Sequence, residues 1–353
     1  MGLGNSKYEK EYIKRVRNHS DKVLLASPRS PMEGFEYFNT AEYKNKSNNH
    51  KPMIINKLFS GGISNVLPMI KLFSKIISPM MKGRAKGYTD ISEYLDTLDQ
   101  TKELPHEDAK LLENYPNTDL WGDLKAYAWN KWKLIIGFTP LPAELVFKGK
   151  AVLFKYALVC VQEMDKEEIS HAPELRAGAE VMRVYNSLGN AVNDIAEWLR
   201  KEHGVVCQSN HPLGGLTNTT PLAAMAGLGW QGRSGLLITP QFGTRHRIAT
   251  IFLEEKLFDF TYTDEHCWIE KFCEKCGKCL KSCPSGAIYE KKQTSLKGIS
   301  FIDETKTCID REKCFPYFNK TMGCSICIKV CPFSQCEGVY EKLKSNAQRR
   351  FLR

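Results

Sequence analysis

Two hydrophobic patterns follow each other in the middle of the chain and predict a strand and then a long helix. The run AVLFKYALVCVQEM at 151–164 is rich in β-branched and aromatic residues, as expected of a buried strand. Apolar residues then recur at every third or fourth position from Val181 to Leu199, and Gly204 suits the C-cap of a helix. A strand followed by a long helix predicts an α/β core.

The segment after this helix has a less regular pattern. A Gly- and Asn-rich loop at 210–220 precedes a short Ala-rich helix and the stretch AGLGWQGRSGLLITPQFGTRHRIATIFLE. Within that stretch, LLI and IATIFL predict two strands around a turn. The glycines between 227 and 243 would let the backbone approach a large, flat partner.

The N-terminal end is more weakly patterned. Residues 1–50 are polar and lack a clear period, which favours loops with short helices. Between Pro68 and Gly83, apolar residues recur at helical spacing opposite lysines and serines, which predicts an amphipathic helix. We expect this helix to pack on the protein's own core rather than to lie on a membrane surface.

Cysteine usage divides the chain. Of the 13 cysteines, 11 lie between Cys267 and Cys336. In a cytosolic protein such a cluster indicates metal ligands rather than disulfides. We therefore expect three parts: a basic, partly helical N-terminal region at 1–130, an α/β cofactor-binding core at 131–265, and a ferredoxin-like domain with two 4Fe-4S clusters at 266–353.

The first cysteine run has the spacing C-x2-C-x2-C-x3-C-P of bacterial ferredoxins. Its first three thiolates bind irons of one cluster, whereas the fourth, next to Pro284, binds the neighbouring cluster. A structural zinc site would need only pairs of C-x2-C and no proline. The run consists of Cys273, Cys276, Cys279 and Cys283.

The second run has the spacing C-x2-C-x3-C-P and is one thiolate short, so its missing ligand must come from upstream. We expect Cys314 to be that ligand, with Cys308 as the alternative. Cys267 and Cys336 are then spare. Exchange of the fourth ligand between the clusters gives two predicted sets: Cys273, Cys276, Cys279 and Cys331 for the first cluster, and Cys283, Cys314, Cys324 and Cys327 for the second.

The formal net charge of +10 is concentrated at the N-terminal end. Residues 1–89 carry 16 Lys or Arg against 6 Asp or Glu, whereas the rest of the chain carries 34 of each. A solvated basic arm explains this charge, and attraction to RNA, to anionic lipid or to an acidic electron donor is the functional alternative. Because no apolar run of about 18 residues and no export signal is found, we expect a cytoplasmic protein without stable membrane insertion.

The two cysteine runs, the second ending in CIKVCPF, resemble those of epoxyqueuosine reductases and reductive dehalogenases. The segment PLAAMAGLGWQGRSGLLITPQFGTRHRIATIF is similar to the one that lines the cobalamin pocket in those families. The resemblance, over roughly 135–336, implies a nitroreductase-like α/β core that holds base-off cobalamin, with electrons passing through the two clusters to make cobalt(I). By this resemblance the cofactor-binding residues are Gly227, Leu228, Gly229, Trp230, Gly232, Arg233, Gly235, Leu236, Gly243 and Arg245.

The proton donor expected from this resemblance is missing from its usual loop. Epoxyqueuosine reductases place an acid ahead of the AGLG segment and dehalogenases use a tyrosine, but the loop CQSNHPLGGLTNTTP contains neither. His211 is the residue in it whose ordinary pKa suits protonation of a product at neutral pH. We therefore predict His211 as the catalytic acid, with Cys207 and Asn210 as poorer candidates.

Three functions follow as alternatives. The first is a cobalamin-dependent reductase of an unidentified small-molecule substrate, acting by reductive dehalogenation or epoxide-type reduction. A ferredoxin, a flavodoxin or a similar donor would supply its electrons. A tRNA substrate would suit the basic N-terminal end but is disfavoured by the missing acid. The second is an electron-transfer protein that reduces another protein's corrinoid or flavin. The third is a reductase whose core binds flavin instead of cobalamin.

Overall fold

The computed structural model describes residues 7–18, 23–27, 30, 70–101, 119–290, 308–321, 323–335 and 338–351. The strands are β1 (Leu24–Leu25), β2 (Leu134–Pro140), β3 (Ala151–Val152), β4 (Tyr156–Glu163), β5 (Cys207–Asn210), β6 (Trp230–Gln231), β7 (Leu237–Ile238) and β8 (His246–Leu253). The helices are α1 (Lys7–Arg17), α2 (Ser78–Thr101), α3 (Leu120–Trp132), α4 (Lys166–Ser170), α5 (Leu175–His203), α6 (Thr219–Met225), α7 (Trp268–Cys276), α8 (Lys278–Ser282), α9 (Arg311–Thr321), α10 (Ile326–Lys329) and α11 (Val339–Phe351).

A four-stranded antiparallel sheet in the order β2-β4-β8-β5 forms the centre of the fold. The predicted strand at 151–164 is divided, because β3 and β4 are separate strands that pair with different partners. The predicted long helix is α5, and it ends at Gly204, whose φ of 64° is left-handed. The predicted mixed α/β class is therefore confirmed.

The two faces of the sheet are covered by different parts of the chain. Alternate residues of β2, β4 and β8 pack on one side against α3 and α5. On the other side, the same core contains residues of α6, of the β6–β7 hairpin and of the cysteine-rich part, including Ile269 and Phe333. The cysteine-rich part is thus built into the core beside the sheet.

The N-terminal region also packs on this core. Glu9 of α1 is 1% exposed and forms ion pairs with Arg84 of α2, at 2.8 Å, and with Lys150. The predicted amphipathic helix is described from residue 70, where a π-helical turn at Phe73–Ile77 leads into α2. Met80 is buried there, whereas Phe73 is 60% exposed, so one side of this helix faces the protein core.

Within the described residues, no helix is both long enough and apolar enough to cross a membrane.

Candidate redox site

The first predicted set of cysteines comes together where α7 meets α8. Cys273 lies close to Cys276, Cys279 and Cys331, although Cys331 is distant in sequence. Burial raises the pKa of Cys273 to about 12 and that of Cys331 to about 11, and the neighbouring thiols add to both shifts. A thiol with so high a pKa keeps its proton at neutral pH unless a metal replaces that proton.

The second predicted set also comes together. Cys314 on α9 lies near Cys283 and Cys324, and Cys327 lies near all three. Burial raises the pKa of Cys314 to about 11 and that of Cys327 to about 12. Cys327 also lies near Cys279 of the first set, so the two groups of thiols adjoin.

These two groups fit iron-sulfur clusters better than single ions. In the part of the chain that the structure describes, no three His, Cys, Asp or Glu side chains stand close enough together to bind one metal ion. A cubane spreads its four thiolates around four irons, which requires wider spacing. At Cys283 burial raises the pKa, but hydrogen bonds from Ser285 and the backbone, including Ala287 N–H at 3.3 Å, outweigh it and lower the pKa.

The remaining cysteines lie elsewhere. Cys308, the alternative ligand, is buried beside Gly235, where an added Cβ would lie 3.0 Å from the Cβ of Cys308. Cys267 is exposed at the start of α7. Cys336 lies outside the described residues. The ligand sets stay a prediction, and the observed grouping favours Cys314.

The AGLG segment and the residues after it bind the cysteine-rich part to the sheet. Arg233 donates through Nε to the carbonyl of Cys273, at 3.1 Å, and through its guanidinium to the carbonyl of Glu274, at 2.9 Å. Arg245, which is 7% exposed, donates to the carbonyls of Ser334 and Met164, both at 2.9 Å. The two arginines predicted to hold a cofactor therefore hold the backbone around the thiols.

The glycines of this segment, like its arginines, lie against the backbone of other protein segments. At Gly243, with a φ of 58°, a Cβ would collide with the carbonyl oxygen of Phe333. At Gly229 a Cβ would collide with the carbonyl oxygen of Ile238 in the neighbouring strand β7. The close approach that these glycines permit is therefore between protein segments, and the cofactor-binding role of the segment stays a prediction.

His211 is placed inside the protein. It is 6% exposed, its Nδ1 accepts a hydrogen bond from Leu213 N–H at 3.1 Å, and its Nε2 lies against Gly189 of α5. Burial, together with the positive charge of Arg84, lowers the pKa of His211 to about 3. The imidazole is therefore neutral at pH 7, so the ordinary histidine pKa that motivated this choice does not apply to the folded protein.

Sequence reasoning missed a tyrosine beside the second group of thiols. Tyr185 of α5 and Cys327 pack against the same small apolar cluster, and Leu236 joins them there. The guanidinium carbon of Arg247 lies 5.0 Å from the centre of the Tyr185 ring. Among the described residues, buried Arg247 Nε and Asn186 Oδ1 have no hydrogen-bond partner. Buried polar atoms without a protein partner are satisfied by water or by a ligand.

Comparisons with known proteins agree with this geometry. Residues 272–334 match the family described as a 4Fe-4S double cluster binding domain. The chain is 30% identical over 247 residues to tetrachloroethene reductive dehalogenase of Desulfitobacterium hafniense, covering 67% of this chain and 40% of that protein. It is 36% identical over 134 residues to epoxyqueuosine reductase of Francisella cf. novicida, covering 37% and 36%. The chain is a homologue of both groups of reductases.

The predicted family resemblance and the double-cluster domain are thereby confirmed. The solved structure of the catabolic reductive dehalogenase NpRdhA in complex with 3-bromo-4-hydroxybenzoic acid has a TM-score of 0.52 and 21% identity, over 60% of this chain and 32% of that one. This likeness shows a shared fold. The chain spans about two fifths of the length of the dehalogenases that it matches in sequence.

Proposed function

We propose that this protein is a corrinoid-dependent reductive dehalogenase, with a nitroreductase-like core and two 4Fe-4S clusters that deliver electrons. The observation that carries the proposal is the position of Tyr185, half-buried beside Arg247 and packed on the same apolar cluster as the Cys327 thiol. A relative that matches 247 residues of this chain is named tetrachloroethene reductive dehalogenase. A solved reductive dehalogenase of similar fold is described as acting by B12-dependent dehalogenation.

Reductive dehalogenation needs two electrons and one proton. The carbon-halogen bond breaks, halide leaves, and the proton joins the carbon that received the electron pair. The corrinoid, when bound, supplies the metal centre at which this bond is broken. The protein must hold that group, exclude water and deliver the proton.

Tyr185 suits the delivery of this proton. Its phenol carries one O–H that it can donate, and the guanidinium carbon of Arg247 lies 5.0 Å from the ring centre. His211, by contrast, has no proton to give as an imidazolium, because its pKa lies near 3. We therefore assign the acid role to Tyr185.

Some of the buried polar atoms without a protein partner are proposed here to hold the corrinoid. Besides Arg247 Nε and Asn186 Oδ1, they include Trp230 Nε1 and Gln231 Oε1 of the AGLG segment and Nδ1 of His246, all without partners among the described residues. The amide-rich rim of a corrinoid offers both donors and acceptors to such atoms. These residues therefore offer donors and acceptors that suit the group.

The test is a Tyr185→Phe variant assayed for halide release under anaerobic conditions, with a chemical reductant and an organohalide. Loss of a general acid should lower kcat at least about 100-fold, while corrinoid content and the visible spectrum of the clusters stay unchanged. Tyr156→Phe, which removes the hydroxyl of another half-buried tyrosine, is the matched control. Equal halide release by both variants would show that Tyr185 is not the acid.

Cofactor identity is tested separately. Protein purified without oxygen should yield a corrinoid when the extract is analysed by mass spectrometry. Extraction of flavin instead would support the flavin-binding alternative. Recovery of iron and sulfide without any organic cofactor, together with no halide release, would support the electron-transfer alternative.

A further inference from the structure

A cavity of about 490 Å³ opens along the free edge of the sheet, away from Tyr185. Strand β2 is the edge strand, and Ile135 and Ile136 form one wall of the cavity. Trp129 of α3 also lines the cavity, as do His266 and Tyr340. The volume is within the range of small-molecule sites in proteins.

A continuous path of aromatic rings joins this cavity to the first group of thiols. Tyr340 contacts Trp268 with 5.3 Å between ring centres, Trp268 contacts Phe333 at 5.8 Å, and Phe333 contacts Phe272 at 5.1 Å. Phe272 and Phe333 line the space between the thiols of the first set. Packed protein atoms favour electron tunnelling more than a gap filled with water does. The ring path is therefore a route by which electrons could pass from the cavity to the first group of thiols.

The wall between cavity and path is held rigidly. Tyr340 is 3% exposed and its hydroxyl lies 2.6 Å from His266 Nδ1, while Trp268 Nε1 donates to the same hydroxyl at 3.2 Å. Glu265 at the rim is held in an ion pair with Lys344. A preformed wall lowers the entropy cost of binding a rigid ligand.

The chemistry of the cavity favours a planar ligand with an imide edge. Trp129 is 45% exposed and lines the cavity, and an indole ring can stack on a planar ligand. The N–H and C=O groups of Phe138 form hydrogen bonds with Thr261, on the side of β2 that faces away from β4. Backbone groups two residues apart on a strand point to the same side, so the N–H and C=O of Ile136 also face away from β4. A strand edge presents an N–H and a C=O side by side, which complements the C=O and N–H of an imide ring.

We propose that this cavity binds a reduced flavin, which passes its electrons through the aromatic path to the first cluster. The inference rests on the proposed function and names the class of its electron donor. The flavin hydroquinone is oxidised to the quinone form, releases two protons to solvent, and gives one electron to each of the two 4Fe-4S clusters. Gly227 and Leu228, two of the residues predicted for the corrinoid, also line this cavity, whereas none of the residues whose unpartnered atoms are assigned to the corrinoid above does.

The test is equilibrium dialysis of the cluster-loaded protein against oxidised riboflavin, with the free flavin measured by its fluorescence. Trp129→Ala should raise the Kd about three- to tenfold, since one stacking contact is lost. Phe260→Ala, which removes a 40% exposed aromatic ring elsewhere on the surface, should leave the Kd unchanged. Riboflavin reduced by light and supplied below saturation should reduce the clusters of Trp129→Ala three- to tenfold more slowly, measured as the loss of their visible absorbance. Dithionite should reduce the clusters of both variants at the same rate.

Absence of saturable riboflavin binding would overturn the inference, as would equal Kd values for the two variants. Either result leaves the proposed function intact if a chemical reductant still supports halide release. If riboflavin binds saturably but no halide is released with any reductant, the proposed function is overturned and the riboflavin site is retained.

Discussion

Replacement of Arg245 by Met should weaken the attachment of the cysteine-rich part to the sheet. The buried guanidinium donates to the carbonyls of Ser334 and Met164, both of which belong to almost fully buried residues. Hydrogen bonds from a charged donor contribute about 1.5–3 kcal/mol each. The bond to Glu163, whose side chain is 44% exposed, adds little because water screens it. The substitution also removes the free-energy cost of burying a charge, which offsets part of this loss. We therefore expect the free energy of unfolding to fall by about 3 kcal/mol.

The assay is urea unfolding of the cluster-loaded protein, followed by near-ultraviolet circular dichroism. Arg176→Met is the matched control, because Arg176 makes an equally short but exposed pair with Glu168. The control should lose far less stability than Arg245→Met. Equal losses would refute the view that Arg245 joins the two parts. An unchanged stability with loss of bound corrinoid would return Arg245 to the cofactor site.

Two further predictions concern the other sequence-predicted residues. Cys314→Ala should remove the paramagnetic resonance signal of one reduced cluster, whereas Cys308→Ala should keep both, and the reverse result would exchange the two ligands. Between pH 6.5 and about 3 the unfolded chain binds a proton at His211 and the folded chain does not. As the pH falls through this range, His211 should therefore lower the free energy of unfolding by about 1.4 kcal/mol per pH unit. His211→Asn should lack this part of the slope in urea unfolding between pH 7 and 5, and an unchanged slope would contradict the burial of a neutral imidazole.

The cysteines could be predicted from sequence because their ligand geometry is local. Three of the four ligands in the first run are spaced by a short helix and a left-handed glycine, Gly277 with a φ of 60°. The choice between Cys308 and Cys314 depends instead on how α9 packs beside Cys283 and Cys324. That packing is a tertiary property, so spacing alone left both residues open.

Tyr185 was missed because helical periodicity gives it the same signal as its apolar neighbours. It falls in the stripe from Val181 to Leu199 that packs α5 on the sheet. The partner that distinguishes it, Arg247, comes from β8 and is distant in sequence. A hydrophobic pattern predicts which face is buried, but it does not show which buried polar atoms remain without a partner.

The glycine-rich segment predicts a binding surface for a flat cofactor, and its structure points to a different physical role. Gly243 lets the backbone meet the carbonyl of Phe333, and Arg233 and Arg245 bind carbonyls of Cys273 and Ser334. All of these contacts lie within or beside the thiol groups, so they fix where the clusters stand relative to the sheet. Electron tunnelling falls steeply with distance, which makes a rigid attachment as necessary to a reductase as the cofactor pocket itself. The same sequence signal therefore arises from positioning the clusters, whether or not the segment also touches a corrinoid.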